Sequence, residues 1–268
     1  MAVNYSFIVK RLFQMDHLYA MLSGVTHHPF AVCTEDTFED QLFLFAEKDL
    51  IDAKGKELAD RKYQVRALDI PKTNNARRKF FVDAHYMGFT QVLFVDASGE
   101  QILPLKAIVD VEADLKKLPK NKRPMMNQAL QMTSLYFVQE MSRPIPREQN
   151  PAIPDLMDEL EHNLETAQLI AAGIAIPDPK DPKQSKVGLM NIQDKEGKKY
   201  IPVFSDALEF SSFPQPEKNK FRGFPTTLKH MRSSLDGEVN TLVLNPGSIQ
   251  LRITKPLVDR ILARAEEE

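Results

Sequence analysis

Apolar residues in this chain come in two rhythms, short unbroken runs and stripes spaced by three and four, which alternate along the sequence. The run Gln41-Leu42-Phe43-Leu44-Phe45 has the character of a strand buried on both faces, and Gln91-Val92-Leu93-Phe94-Val95 repeats it. Phe30–Cys33 and Tyr63–Ile70 read as further strands, the second stopped by Pro71. The spacing of Leu12, Met15, Leu18, Tyr19 and Leu22 predicts a helix over Phe13–Leu22, with Gly24 as its cap. Asn75–Tyr86 and Leu105–Leu118 also read as helices, and Asp49–Asp60 as a short helix or a polar excursion. Ala97-Ser98-Gly99 is a turn leading to a hairpin partner at Gln101–Leu103.

The second half follows the same order. Asp155–Ala172 is predicted as an amphipathic helix with an acidic first turn and Gly173 as its cap. Val187–Ile192 and Lys199–Phe204 read as strands turned at Glu196-Gly197, Thr226–Leu235 as a helix, and Asn240–Leu244 with Gln250–Ile253 as a strand pair. Pro256 opens the last helix, where its missing N–H costs nothing.

The halves also align. Ala31–Leu50 lies without gaps on Leu189–Leu208, and Gly88–Asp110 on Gly237–Asp259 with six identities in 23 positions, among them Leu93/Leu242, Lys106/Lys255 and Asp110/Asp259. Agreement of element order and residues predicts a duplicated unit. Between the halves, Lys116–Pro154 holds a basic run, then a Met-rich helix from Pro124 to Met141, then Pro144, Pro146, Pro151 and Pro154, which read as a semi-rigid extended connection. No charge occurs from Pro124 to Gln139. A helix apolar over most of its girth is a buried one. Its alternatives are packing between or under the units, or a partner-binding or dimer helix presenting Met126, Leu130, Phe137 and Met141, since methionine adapts to varied surfaces.

Composition narrows the function classes. A net charge of −2 supplies no field to recruit nucleic acid or an anionic membrane. A single cysteine, Cys33, excludes an intrachain disulfide and a cysteine-built zinc cage, and fits a reducing, cytoplasmic location. The segment Met1–Phe13 carries Lys10 and Arg11 in its apolar stretch and no cleavage signal, and no run reaches the ~18 apolar residues of a membrane span.

Two motifs stand out. Tyr200-Ile201-Pro202-Val203-Phe204-Ser205 forms a strand, answered by Thr241-Leu242-Val243-Leu244-Asn245-Pro246-Gly247-Ser248. Asn245-Pro246-Gly247-Ser248 has the residues of a type II turn, with Pro second and a positive φ expected at Gly247. As a surface loop at a sheet end it would present Asn245 and Ser248 to a ligand or partner. In the first half the same place holds Asp96-Ala97-Ser98-Gly99, which departs from the motif. The order and spacing of the two motifs, with a helix after Phe221 between them, resemble the SseB-like family of the enhanced-serine-sensitivity type. The resemblance covers Lys186–Leu262, and Ala31–Asp110 only through the repeat. It implies compact α/β modules that act as interaction or regulatory units, with no defined catalytic residues.

Other candidate chemistry is weak. His27-His28 before Pro29 lacks a placed third ligand, although Glu35 or Asp36 is near in sequence, so no metal is expected. Burial or the neighbouring Glu35-Asp36 would blunt Cys33 as a nucleophile. Arg77-Arg78-Lys79 opens a helix at the end unfavourable to cations, so a phosphate or partner there is conceivable. Lys116–Arg123 lacks the interleaved aromatics of a nucleic-acid surface. No Gly-rich phosphate loop occurs. The acidic tail Glu266–Glu268 reads as disordered.

The sequence therefore predicts an α/β (α+β) protein of two related small mixed-sheet units with flanking helices: residues 1–118, a helix-bearing linker at 119–154, and residues 155–268. The expected function is a non-enzymatic interaction or regulatory protein that binds a protein partner or forms a homodimer, without cofactor, metal, nucleic acid or membrane. The alternative is a small-ligand sensor or enzyme using a groove between the units, for which Asp96, Asn245, Arg222 and His230 are the polar candidates.

Overall fold

The computed structural model describes residues 4–177, 185–214 and 221–267. The chain divides into two compact units, one made of residues 1–123 and 131–156 and the other of residues 124–130 and 157–268. The segment 119–154, expected as a linker, is thus divided between them.

In the first unit, α1 (Ser6–Gln14) leads to β1 (Tyr19–Ser23), β2 (Val32–Cys33), β3 (Asp40–Phe45), α2 (Lys48–Asp60), β4 (Val65–Asp69), α3 (Asn74–Met87), β5 (Gln91–Asp96) and β6 (Gly99–Pro104). The short helices α4 (Leu105–Ile108) and α5 (Val111–Lys116) follow. The strands lie in the order β4-β1-β3-β5-β6, with β2 beside β3. β3 and β5 are parallel and the other pairs antiparallel. The central strand β3 buries Leu42 and Leu44 on one face and Phe43 and Phe45 on the other, as its unbroken apolar run requires. Phe43 and Phe45 join Met21, Phe30, Ile51 and Leu58 in one core cluster beneath α2.

α6 (Gln128–Met141) crosses the division, its residues from Gln131 onward belonging to the first unit. There the buried Gln139 amide donates to the Ala31 carbonyl and accepts from the Ala31 N–H, each at 3.0 Å. Two backbone groups that the short β2 leaves unpaired are thereby satisfied. Tyr136 Oη donates to Asp40 at 2.7 Å. Glu140 accepts from Tyr63, from Arg143 at 2.7 Å and from Asn150 at 2.8 Å. Burial and the Glu140 carboxylate push the Tyr63 phenol up to about 12.

The second unit runs from α7 (Ala152–Thr166), whose residues up to Leu156 belong to the first unit, through β7 (Leu169–Pro177), β8 (Ser185–Leu189), β9 (Ile192–Gln193), β10 (Lys199–Phe204), α8 (Ala207–Ser212), β11 (Arg222–Thr226), α9 (Leu228–Arg232), β12 (Thr241–Leu244) and β13 (Leu251–Thr254) to α10 (Lys255–Glu267). Its strand order, β11-β7-β10-β12-β13, and its strand directions repeat those of the first unit. The register agrees as well. Phe45 pairs with Val95 and Val203 with Leu244, the pairs that the internal alignment makes equivalent. β8, beside β7, extends the second sheet.

Several expected boundaries moved. Phe13–Leu22 is not a helix: α1 ends at Gln14, and Tyr19–Ser23 is β1, paired on both sides. Asp155–Ala172 fails in the same way, because α7 ends at Thr166 and Gly173 lies within β7 rather than capping a helix. Asp110 divides the expected helix Leu105–Leu118, since its side chain accepts the Ala113 N–H at 3.0 Å and caps a new helix, α5. Of the expected helix Thr226–Leu235, Thr226 is the last residue of β11, and α9 starts after its own cap, Thr227, and ends at Arg232. Between Pro144 and Pro154 the chain forms a 3-10 turn at Arg147–Gln149 and the start of α7, not an extended connection. Glu266 and Glu267 continue α10, while Glu268 lies outside the described residues.

Candidate functional site

The two sequence motifs meet at the carboxyl ends of the parallel strands β10 and β12, the position where α/β sheets commonly hold ligands. The structure fills it with side chains. Asn245 is fully buried at φ +49, in the left-handed region that asparagine tolerates better than most residues. Its Oδ1 accepts the Ser205 N–H at 2.9 Å and its Nδ2 donates to Ser205 Oγ at 2.9 Å. Ser205 Oγ in turn donates to Asp206 at 2.7 Å. The other Asp206 oxygen caps α8 by accepting the Glu209 N–H at 2.9 Å. Ser248 Oγ donates to Glu209 at 2.7 Å.

From the other side, the Asn127 amide donates to the Gln168 carbonyl and, at 2.5 Å, to the Ser205 carbonyl, and the Met125 carbonyl accepts the Ala207 N–H at 3.3 Å. Met125 also packs on the core of Ile170, Ala172, Met190 and Phe204. The short segment before α6 therefore clasps the same strand end within the second unit.

This network is chemically closed. Burial pushes the Asp206 carboxyl above its ordinary value and Glu209 adds like-charge repulsion, while hydrogen bonds from the Glu209 N–H and the Ser205 hydroxyl oppose the shift. Such a carboxylate beside a serine could serve as a base, but Ser205 and Asp206 are 0 % and 1 % exposed, so no substrate atom reaches the pair. The loop does not present Asn245 and Ser248 to solvent: Ser248 is also buried. Nor is it the expected type II turn. Positive φ falls at Asn245 and Gln250, while Gly247 is not in that region, and the Ser248 and Gln250 N–H groups both donate to the Asn245 carbonyl at 3.0 Å. Asp206 and Glu209 escaped the sequence reading, although Asp206-x-x-Glu209 before a helix is a capping-box pattern that could have found them.

The other candidates are scattered. Leu130 and Phe137 are buried, and Met126 and Met141 half-buried. Asp96 belongs to the first unit, where it accepts from Arg11 and from the Ser98 N–H and Oγ at 2.8 and 2.5 Å. Arg222 is exposed on β11, and His230, exposed on α9, lies 3.2 Å from Thr227 Oγ1. Cys33 is exposed rather than buried. Arg77 is fully buried and donates to the Leu12 and Met15 carbonyls at the end of α1, each at 2.7 Å. Arg78 pairs with Asp114 at 2.9 Å, and Lys79 with Asp83. All three cations have protein partners, which explains their place at a helix start without a phosphate. Among the described residues, no group of three or more His, Cys, Asp or Glu is placed to hold a metal. No helix among them is long and apolar enough to cross a membrane.

Residues 152–260 match the family model of the SseB protein N-terminal domain. The match starts upstream of the expected resemblance and takes in α7 and β7, which the motifs had not reached. A search of curated proteins gives no match. Among solved structures, Tic22 from Anabaena, titled as a protein of protein transport, shares 12% identity over 91% of this chain and 92% of its own, with a TM-score of 0.20. Tic22 from Plasmodium falciparum shares 10% over 97% of each chain, with a TM-score of 0.19.

Proposed function

We propose that this protein is a non-enzymatic interaction or regulatory protein built from two SseB-like units, acting in the cytoplasm by binding a protein partner. One observation carries the reading. Beyond its pairing with β10 and β11, β7 continues beside β8 and holds Ile174 and Ile176 at 37% and 47% exposure, while Val187 of β8, paired with Ala175 and so on the other face, is 42% exposed. Ile174 and Ile176 share one strand face and lie over Gly188, where an added Cβ would come within 2.7 Å of Ile176 Cδ1. Gly188 thus admits the isoleucines and leaves them in water. Clustered exposed apolar side chains on a sheet extension mark a surface for another chain. The extension lies within the matched segment and has no strand corresponding to β8 among the described residues of the first unit. The motif residues support the same reading, because their polar groups hold the fold together at the strand ends.

The test is capture of tagged protein from native lysate beside the variant Ile174→Thr/Ile176→Thr, which keeps strand propensity and removes apolar area. A stoichiometric protein should be retained by the natural chain and reduced about tenfold or more with the variant. Equal recovery with both removes β7–β8 as the surface. Recovery of a small molecule in place of a protein sinks the reading.

A further inference from the structure

The loop between β2 and β3 carries a residue the fold does not ask for. Phe38 sits at φ +55 and is 80% exposed. A bulky side chain at positive φ is an outlier, and such positions persist where function uses them. The corresponding loop of the second unit closes one residue shorter, from Asp194 to Lys198, and has Gly197 at φ +83 in the same place before closure, although the gap-free alignment sets Glu196 opposite Phe38. The first loop is closed by hydrogen bonds: the Phe38 N–H donates to the Thr34 carbonyl at 2.9 Å, and the Glu39 N–H to Thr34 Oγ1 at 2.9 Å. Glu35, Asp36 and Glu39 lie on the same loop and make no ion pair among the described residues. An acidic aromatic tip is repelled by an anionic membrane and suits a cationic protein surface with an apolar socket.

Such a socket lies on the same unit. A groove of about 770 Å³ runs between α2 and β4, with Met21, Ile51 and Val65 among its apolar lining and Lys56, Arg66 and Asp52 as its charged lining, Asp52 being paired with Lys48 at 2.6 Å. Neither Lys56 nor Arg66 is ion-paired among the described residues. Gly55 stands in the helix wall, where an added Cβ would meet only Met21 Cε at 3.8 Å and Val65 Cγ2 at 4.0 Å. A methyl group fits there and would favour the helix, so the glycine keeps the groove open at the expense of helix stability.

We propose that the Phe38 hairpin of one copy seats in the α2–β4 groove of a second copy, with the ring on the apolar floor and Glu35, Asp36 and Glu39 facing Lys56 and Arg66. This interface lies apart from β7–β8 and stands or falls independently of the partner captured there.

Sedimentation velocity over a concentration series tests it. The natural chain should associate below about 100 μM. Phe38→Gly, which copies the second unit, should weaken association at least tenfold while its thermal midpoint stays level or rises, separating lost docking from lost folding. Lys56→Glu/Arg66→Glu and Glu35→Lys/Asp36→Lys should each be monomeric alone and associate when mixed. A natural chain that stays monomeric overturns the proposal, as it would if the hairpin served some other cationic protein. Association unchanged by Phe38→Gly, or no association in the mixture, overturns it equally.

Discussion

The reversal after β5 and the reversal after β12 use equal lengths of chain in opposite ways. In the first unit Asp96 pairs with Gly99, leaving Ala97 and Ser98 as a minimal turn. In the second, the last pair is Leu244 with Leu251, and residues 245–250 form the loop. The gap-free alignment of Gly88–Asp110 with Gly237–Asp259 shows that the longer loop is not an insertion. The ladder has slipped by two residues: Leu93 faces Ile102, whereas its equivalent Leu242 faces Ile253. An even slip keeps each aligned residue on its face of the sheet, so the core tolerates it. The residues released from pairing turn inward as Asn245 and Ser248. The first unit closes its strand end with a carboxylate held by Arg11 and Ser98, and the second with an amide, two hydroxyls and two carboxylates.

Asn245→Ala should break this arrangement most severely. It removes the Oδ1 acceptor of the buried Ser205 N–H and places alanine at φ +49, for a combined loss of about 3 kcal/mol. Hydrogen exchange resolved by unit should show the loss in the second unit while the first keeps its protection.

Acid should separate the units by sign. The Asp96 carboxyl is held below its ordinary value, first by the Ser98 hydroxyl and further by Arg11, against its burial. Its contribution is complete above the unfolded value and is lost as pH falls through the folded one. Asp206 is raised, so its native form takes up a proton before the unfolded chain does, and its contribution grows as pH falls through that raised value. Urea midpoints taken across the acid range should therefore show Asp206→Asn removing a gain and Asp96→Asn removing a loss. Slopes of the same sign in both variants would refute the comparison.

Gly247→Ala should be the mildest change, below about 0.5 kcal/mol by urea unfolding, because Gly247 is not at positive φ and an added Cβ comes no nearer than 3.4 Å to Phe213 Cδ2. A loss of about 1 kcal/mol or more would restore the type II turn that the sequence suggested.

What could be read from sequence followed from how loudly each element states its period. β3, β5, β10 and β12 are dense apolar runs bounded by breakers and are legible as strands, while their pairing register is set by the sheet. β1 and β7 were missed for one shared reason. Each follows a helix with little interruption, and Leu18, Tyr19 and Leu22 also fit a helical stripe continuing from Leu12 and Met15. A short apolar run does not declare its period, and neighbours on both sides of the sheet decided it. At the candidate site, the motif pointed to the right place with the wrong exposure. Turn residues are commonly at the surface, but Asn245 and Ser248 are buried and bonded to Ser205 and Glu209, and Ser205 is itself held by Asn127 from far upstream, a closure that no local pattern reports.

The clasp of Met125 and Asn127 on the second unit has a consequence for synthesis. The chain visits the units in the order first, second, first, second, so neither is a continuous stretch. On the ribosome, the first unit lacks its closing helix residues until Leu156 has emerged, and residues 124–130 must wait, apolar and unmatched, until Ser205 and Ala207 arrive to receive them. A fragment cut at a single boundary deprives one unit of a piece of itself. The matched segment 152–260, expressed alone, would carry Ser205 and Asn245 but lack the Asn127 amide that completes their strand end.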